Sequence, residues 1–164
     1  MRYHNITKDD MLNGPGLRVV LWLAACSHGC PGCHNPITWD PNGGVLFDED
    51  AKKELFEILS REYISGITFS GGDPLHLNNR KEVGDLILEI SKLFPQKTIW
   101  VYTGYLWEEI QEFYPIRKAD VVVDGKFIEK LKDKSLSWKG SSNQRVIDIK
   151  KSLVSNRVVL FEGA

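Results

Sequence analysis

Leu17-Arg18-Val19-Val20-Leu21-Trp22-Leu23-Ala24 runs, after Ala25, into Cys26-Ser27-His28-Gly29-Cys30-Pro31-Gly32-Cys33-His34-Asn35. The first part is a largely apolar run that reads as a buried strand. The second holds all three cysteines of the chain within eight positions, and its glycines and proline mark a loop. A loop at a strand end can fold three thiolates around one metal site, and soft thiolates suit zinc or iron–sulfur clusters. Cys-x3-Cys-x2-Cys offers three protein ligands, which leaves one iron of a [4Fe–4S] cluster open to a small molecule. Structural zinc, with His28 or His34 as the fourth ligand, is the competing reading. Unrelated thiols, or a disulfide with one cysteine left over, are the bland ones.

Working outward, the chain alternates strands and helices. Asn13-Gly14-Pro15-Gly16 precedes the first run as a fixed turn. Asp48 to Ser60 reads as a helix, with Ala51, Leu55, Ile58 and Leu59 on one stripe and acidic residues in the first turn. Gly66 to Ser70 is a short strand ending in the glycine loop Gly71-Gly72-Asp73-Pro74-Leu75. A helix from about Arg80 to Phe94 follows, stopped by Pro95. Thr98 to Tyr102 is a strand ending at Thr103-Gly104, and a short helix lies around Trp107 to Phe113. Ala119 to Val123 is the next strand, ending at Asp124-Gly125-Lys126. Beyond it, Val146 to Ile149 and Arg157 to Phe161 are candidate short strands.

This order predicts an α/β fold, a single domain over 1–164 with a mainly parallel sheet built from right-handed crossovers. Loops after residues 24, 70, 102 and 123 would then share the C-terminal edge of the sheet and face one pocket.

Composition sets the outer bounds. Of 164 residues, 42% are hydrophobic and 26% charged, the balance of a soluble globular domain. No run reaches membrane-spanning length and Met1 to Asn5 shows no apolar signal region, so the cytoplasm is the expected compartment. Reduced thiols there favour metal ligation over disulfides. The net charge of −1 is unevenly spread: residues 126–157 carry nine Lys/Arg against three Asp/Glu. That segment suits an acidic partner, a phosphorylated ligand or nucleic acid, or is a solvated surface.

The chain resembles the radical S-adenosylmethionine superfamily through Cys26, Cys30 and Cys33 followed by Ser70-Gly71-Gly72-Asp73-Pro74. Within it, the chain is most similar to the activating proteins of anaerobic (class III) ribonucleoside-triphosphate reductases. The pieces that carry this closer likeness are Asn13 to Gly16, the cysteine loop with Asn35 and Trp39, Ser70 to Leu75, Trp100 to Tyr105, Val123 to Phe127, and Trp138 to Arg145. The resemblance implies a partial, incomplete TIM-like barrel. It implies a [4Fe–4S] cluster on the three cysteines, with S-adenosylmethionine chelating the fourth iron and cleaved reductively. The resulting 5′-deoxyadenosyl radical would generate a glycyl radical on the reductase, making the protein an oxidoreductase.

By the same resemblance Gly32, Cys33, His34, Gly71, Gly72, Asp73, Thr103, Asp124 and Lys126 would contact the cofactor. No catalytic residue is expected beyond cluster and cofactor. In this reading the bare glycines Gly71 and Gly72 admit the methionine group, and Asp73 accepts from its ammonium or orients the loop. Asp124 and Lys126 resemble a pair that holds the ligand in some relatives. The partners implied are the reductase and an electron donor such as flavodoxin or ferredoxin, with no membrane or nucleic acid.

Two departures limit the carry-over. Asp73 stands where the wider superfamily commonly has glutamate. Tyr102 stands where some relatives place a cation-binding aspartate, so no cation site is expected. An activase of another glycyl-radical enzyme, such as pyruvate formate-lyase, and a zinc-stabilised binding module are the alternatives. The basic segment, with Trp138, Asn143, Gln144 and Arg145, is the candidate surface for docking the reductase.

Overall fold

A computed structural model describes residues 1–163. Its centre is one sheet of seven strands in the order β3-β1-β2-β4-β5-β6-β7. Four strands lie side by side and parallel: β2 (Arg18–Leu23), β4 (Gly66–Gly71), β5 (Thr98–Tyr102) and β6 (Val121–Asp124). They match the four expected runs to within two residues at each end. Buried on both faces, they read as continuous apolar stretches, as parallel strands do.

The expectation of a mainly parallel sheet needs correction at both sides. β1 (Arg2–Asp10) pairs antiparallel with β2, and β3 (Val45–Leu46) antiparallel with β1. At the other side β7 (Arg145–Asp148) pairs antiparallel with β6. Half of the six pairings are therefore antiparallel, and the sheet is open, with β3 and β7 at its edges. β1 escaped the sequence reading because Arg2-Tyr3-His4-Asn5-Ile6-Thr7-Lys8-Asp9-Asp10 is polar and only partly buried, without an alternation that marks one face.

Three helices connect strands, α1 (Glu49–Leu59), α2 (Arg80–Leu93) and α3 (Trp107–Ile110), and α4 (Ile149–Ser155) follows β7. Asp48 caps α1, its carboxylate accepting from the Ala51 N–H at 2.9 Å, and Glu49 and Asp50 complement the helix dipole. The stripe Ala51, Leu55, Ile58 and Leu59 is buried as its spacing requires. α4 was not foreseen, because Ile149-Lys150-Lys151-Ser152-Leu153-Val154-Ser155 is two turns of middling helix formers. Asp148 caps it from the end of β7, and Asn156 closes it at φ 53°. The strand expected over 157–161 reduces to one bridge, between Ile147 and Leu160.

Alternation along the strands divides the interior. Val19, Leu21, Leu23, Ile67, Phe69, Ile99, Val101 and Val122 pack with the inner stripes of α1 and α2. Trp100, Val121, Val123 and Val146 cover the other face with Tyr102, Trp138 and Phe161. On that second face Arg18 is wholly buried, and its guanidinium donates to oxygens of Pro15, Ile67, Thr68 and Thr98 at 2.8 to 3.1 Å. Burial without a carboxylate partner pulls its pKa down to about 10. The Asn13-Gly14-Pro15-Gly16 turn wraps this side chain: Gly14 sits at φ 126°, and a Cβ there would stand 2.8 Å from Arg18 Cδ. The close approach expected of that turn is thus to an arginine, at the end of the sheet where β2 begins.

Candidate cluster and cofactor site

The loops after β2, β4, β5 and β6 meet at one end of the sheet. They enclose a cavity of about 160 Å³ lined by Cys26, Cys30, Cys33, Ser70, Gly71, Gly72, Asp73, Thr103, Gly104, Gly125 and Lys126, among others. An adjoining cavity of about 410 Å³ shares Cys33, Ser70, Tyr102, Phe127 and Gln144 with it and extends to Asn13, His34 and Lys139. A larger hollow of about 940 Å³ lies between α2 and the turn before β6; it holds no thiol and none of the expected site residues. The first two cavities are the ones the chemistry selects.

The cysteine loop begins in a sparsely populated backbone state. Ala25, just before Cys26, has φ 84°, a conformation that costs a non-glycine residue about 1–3 kcal/mol and is held only by its surroundings. Its N–H donates to the Thr38 carbonyl at 2.8 Å, and its own carbonyl accepts from the Asp73 N–H at 2.7 Å. The Cys26 N–H donates to the Trp39 carbonyl at 3.3 Å. The 3-10 turn Pro36–Trp39 therefore clamps the start of the loop from behind.

All three thiols are free and half-buried. Burial pushes the Cys26 thiol up to about 11, so metal ligation must displace its proton. The Asn35 N–H points at Cys33 Sγ at 3.4 Å, the kind of donor that tunes a cluster sulfur.

Among the described residues no three His, Cys, Asp or Glu side chains converge as one metal ion would need. Zinc draws its ligands to about 2.0–2.3 Å of a single point. A four-iron cube instead seats each thiolate on a different iron, and three free thiols around one cavity fit that group. Neither histidine is placed as a fourth zinc ligand. His28 Nε2 lies 2.5 Å from Asp73 Oδ2, and the His34 ring packs on Phe127 at 5.3 Å between centroids.

The glycine loop lines the cavity and packs closely on its neighbours. Gly71 has φ 100°, and a Cβ on it would collide with the Leu23 backbone. A Cβ on Gly72 would come within 2.5 Å of the Ala25 carbonyl oxygen and 2.9 Å of that of Thr38. The missing side chains make room for the backbone of β2 at Gly71 and for that of Ala25 and Thr38 at Gly72. Gly72→Val is accordingly expected to destabilise the fold by about 1–3 kcal/mol and to impair cluster retention, as well as any ligand binding. Thermal melting and iron content check this; an intact melting temperature with full iron would restore the ligand-approach explanation. Gly32, at φ 74°, lies under the Glu129 carboxylate.

Asp73 is 1% exposed, and its carboxylate accepts from the Leu75 and Gly104 N–H groups, from Thr103 Oγ1 and from His28. Both oxygens are occupied by the loops around it. Thr103, also buried, spends its hydroxyl on Asp73.

Asp124 does not join the cavity. It is fully buried, with Arg145 Nε at 3.0 Å from Oδ1, and Arg145 Nη2 and the Trp107 N–H at 2.5 and 2.8 Å from Oδ2. Its neighbours Gly125 and Lys126 line the pocket instead, Lys126 exposed at the rim.

In the polar run Gly140 to Arg145, Ser141 is buried, Ser142 and Asn143 are exposed, and two amide side chains reach the loop after β6. Gln144 Nε2 donates to the Gly125 carbonyl at 3.0 Å and Asn143 Nδ2 to that of Lys126 at 2.7 Å. Gln144 Oε1 accepts from the Gly140 and Ser141 N–H groups. Trp138 packs edge-on against Trp100, and its carbonyl accepts from Tyr102 Oη at 2.6 Å. Asn143 and Gln144 thereby splint the loop after β6. The sequence reading missed Asn79, whose Nδ2 bridges the Ala24 and Asp73 carbonyls at 2.7 and 2.9 Å. A lone asparagine before a helix carries no signal of such a role.

A family model for a 4Fe-4S single cluster domain matches residues 12–147. The anaerobic ribonucleoside-triphosphate reductase-activating protein of Enterobacteria phage T4 is 44% identical over 146 residues, which cover 89% of this chain and 93% of the relative. The chain belongs to the anaerobic ribonucleoside-triphosphate reductase-activating proteins. The activating protein of Escherichia coli K12 is 42% identical over 150 residues, covering 89% of this chain and 97% of its own. That of Haemophilus influenzae is 38% identical over 148 residues, covering 88% and 96%. Within the matched 4Fe-4S domain the three free cysteines line one cavity. Among the described residues no helix is long and apolar enough to cross a membrane.

Proposed function

We propose that this chain holds a [4Fe–4S] cluster on Cys26, Cys30 and Cys33 and binds S-adenosylmethionine beside it to activate an anaerobic ribonucleoside-triphosphate reductase. The observation that carries the reading is the meeting of four strand-end loops at one cavity that contains all three thiols. Cys26, Cys30 and Cys33 would hold the cluster there, and when reduced it would supply the electron for reductive cleavage of S-adenosylmethionine, the chemistry by which a glycine of the reductase would lose a hydrogen atom.

The chain's own residues bind, orient and exclude water. Ser70, Gly71 and Gly72 present backbone and a hydroxyl to the ligand, and Lys126 at the rim matches a carboxylate in charge. Cys33 lines both cavities where they meet, and the exposed His34 beside it lines the larger one, in reach of a nucleoside. Phe127 and Tyr102 wall that junction with apolar surface, and the reductase would complete the cover, as a reactive radical requires. Flavodoxin or ferredoxin is the class of electron donor proposed.

The test is electron paramagnetic resonance of the anaerobically reconstituted, reduced protein. Adding S-adenosylmethionine is expected to change the cluster signal and to yield 5′-deoxyadenosine. An unchanged spectrum at saturating ligand argues against chelation at an open iron.

A further inference from the structure

We propose that His28 is a positioning residue: through Asp73 it registers the cysteine loop against the two loops that face it across the cofactor cavity. The inference rests on the function proposed above. Its basis is a count of what holds residues 27–32. Within the cysteine loop, the Cys33 N–H bonds to the Cys30 carbonyl and the Asn35 N–H to Cys33 Sγ, which shape the loop without attaching it. Among the described residues, the one hydrogen bond from 27–32 to another strand-end loop is His28 Nε2 to Asp73 Oδ2, at 2.5 Å.

That bond ends on a node. The buried Asp73 carboxylate also takes Thr103 Oγ1 at 2.9 Å and the Gly104 N–H at 2.9 Å, so one side chain joins the loops after β2, β4 and β5. The node is itself braced from behind by Asn79, which grips the carbonyls of Ala24 and Asp73.

The imidazole is seated for this role. Its side chain is 8% exposed, and its ring meets Tyr105 edge-on at 4.7 Å between centroids. A Cβ on Gly104 would collide with the ring, so glycine is what lets the β5 loop close over it. Hydrogen bonds to a charged, buried carboxylate are the strong ones, and a loop with a single attachment depends on it. Because the Asp73 oxygens are filled by the protein, Asp73 acts on a ligand through the loops it fixes rather than by touching it. Removing the imidazole keeps every thiol but frees 27–32 to drift relative to Gly71, Gly72 and Thr103.

The experiment compares wild type, His28→Ala and His28→Gln, the last retaining a nitrogen donor at the Nε2 distance. In His28→Ala, iron content after reconstitution is expected to stay near that of wild type. The S-adenosylmethionine concentration that half-converts the reduced cluster's paramagnetic signal should rise about tenfold or more, the scale of one hydrogen bond to a charged group. Amide hydrogen exchange across 27–32, measured on cluster-loaded protein without S-adenosylmethionine, should quicken by a similar factor. His28→Gln should recover most of both.

Unchanged exchange in His28→Ala overturns the proposal, as does wild-type ligand affinity. Loss of iron from both variants also overturns it, since His28 would then serve the cluster itself. If wild type shows no response to S-adenosylmethionine, the proposed function fails, while the exchange comparison still decides the role of His28.

Discussion

Alanine at Cys26, Cys30 or Cys33 is expected to leave a folded protein that cannot keep a [4Fe–4S] cluster and does not cleave S-adenosylmethionine above background. The chain has no other cysteine to substitute for a lost ligand. Each of the three is only half-buried in a loop, so truncating it removes little packed apolar surface. Circular dichroism and melting should therefore stay close to wild type while iron and sulfide per chain collapse after anaerobic reconstitution. The visible absorption of the cluster should be lost with them. Cys26 is the most informative of the three. It follows directly on the φ 84° residue Ala25, and its position is set by backbone bonds to Thr38, Trp39 and Asp73 that the substitution leaves in place. Full iron content in any single variant would remove that cysteine from the ligand set.

Arg145→Ala is expected to act on stability first and on the site as a consequence. Asp124 has no solvent exposure, and Arg145 supplies two of the hydrogen bonds that compensate its charge. Leaving a buried carboxylate unpaired costs about 3–5 kcal/mol where water is excluded. Arg145 is 31% exposed, so water can partly replace it and about 2–4 kcal/mol is the expected loss. For a domain of this size that lowers the melting temperature by roughly 5–15 °C.

The same guanidinium reaches Glu108 at 2.9 Å and holds that carboxyl below its usual range, but this pair is at the surface and contributes little. Adding Asp124→Asn to Arg145→Ala should restore much of the loss, because the amide oxygen still accepts from the Trp107 N–H without carrying a charge. S-adenosylmethionine cleavage should fall in the single variant together with folding, since Arg145 anchors the strand that splints Gly125 and Lys126. A single variant that melts within a degree of wild type, cleaves normally and loses only its grip on the reductase would return Arg145 to a docking role.

The four parallel strands, α1, α2 and the gathering of their loops at one edge were legible because each leaves a local trace. Val19 to Leu23 is apolar throughout, as a doubly covered strand must be, and Ala51, Leu55 and Ile58 repeat at the helical period. Right-handed crossovers then oblige the loops to lie together. The gathering of the thiols was legible for the same reason: three thiols within eight residues are close in space whatever the rest of the chain does.

What surrounds them was not, because it depends on partners far away in sequence. β1 has no pattern of its own and is a strand because β2 offers it a ladder. Gly72 is needed by Ala25 and Thr38, and Asp73 meets His28 45 residues upstream and Thr103 30 residues downstream. Asp124 and Arg145, which read as a ligand contact and a docking residue, neutralise one another across 21 residues. A polar side chain's type says what it can bond to. Whether that partner is a cofactor, another protein or the chain itself is decided by which groups the folded sheet brings within about 3 Å of it.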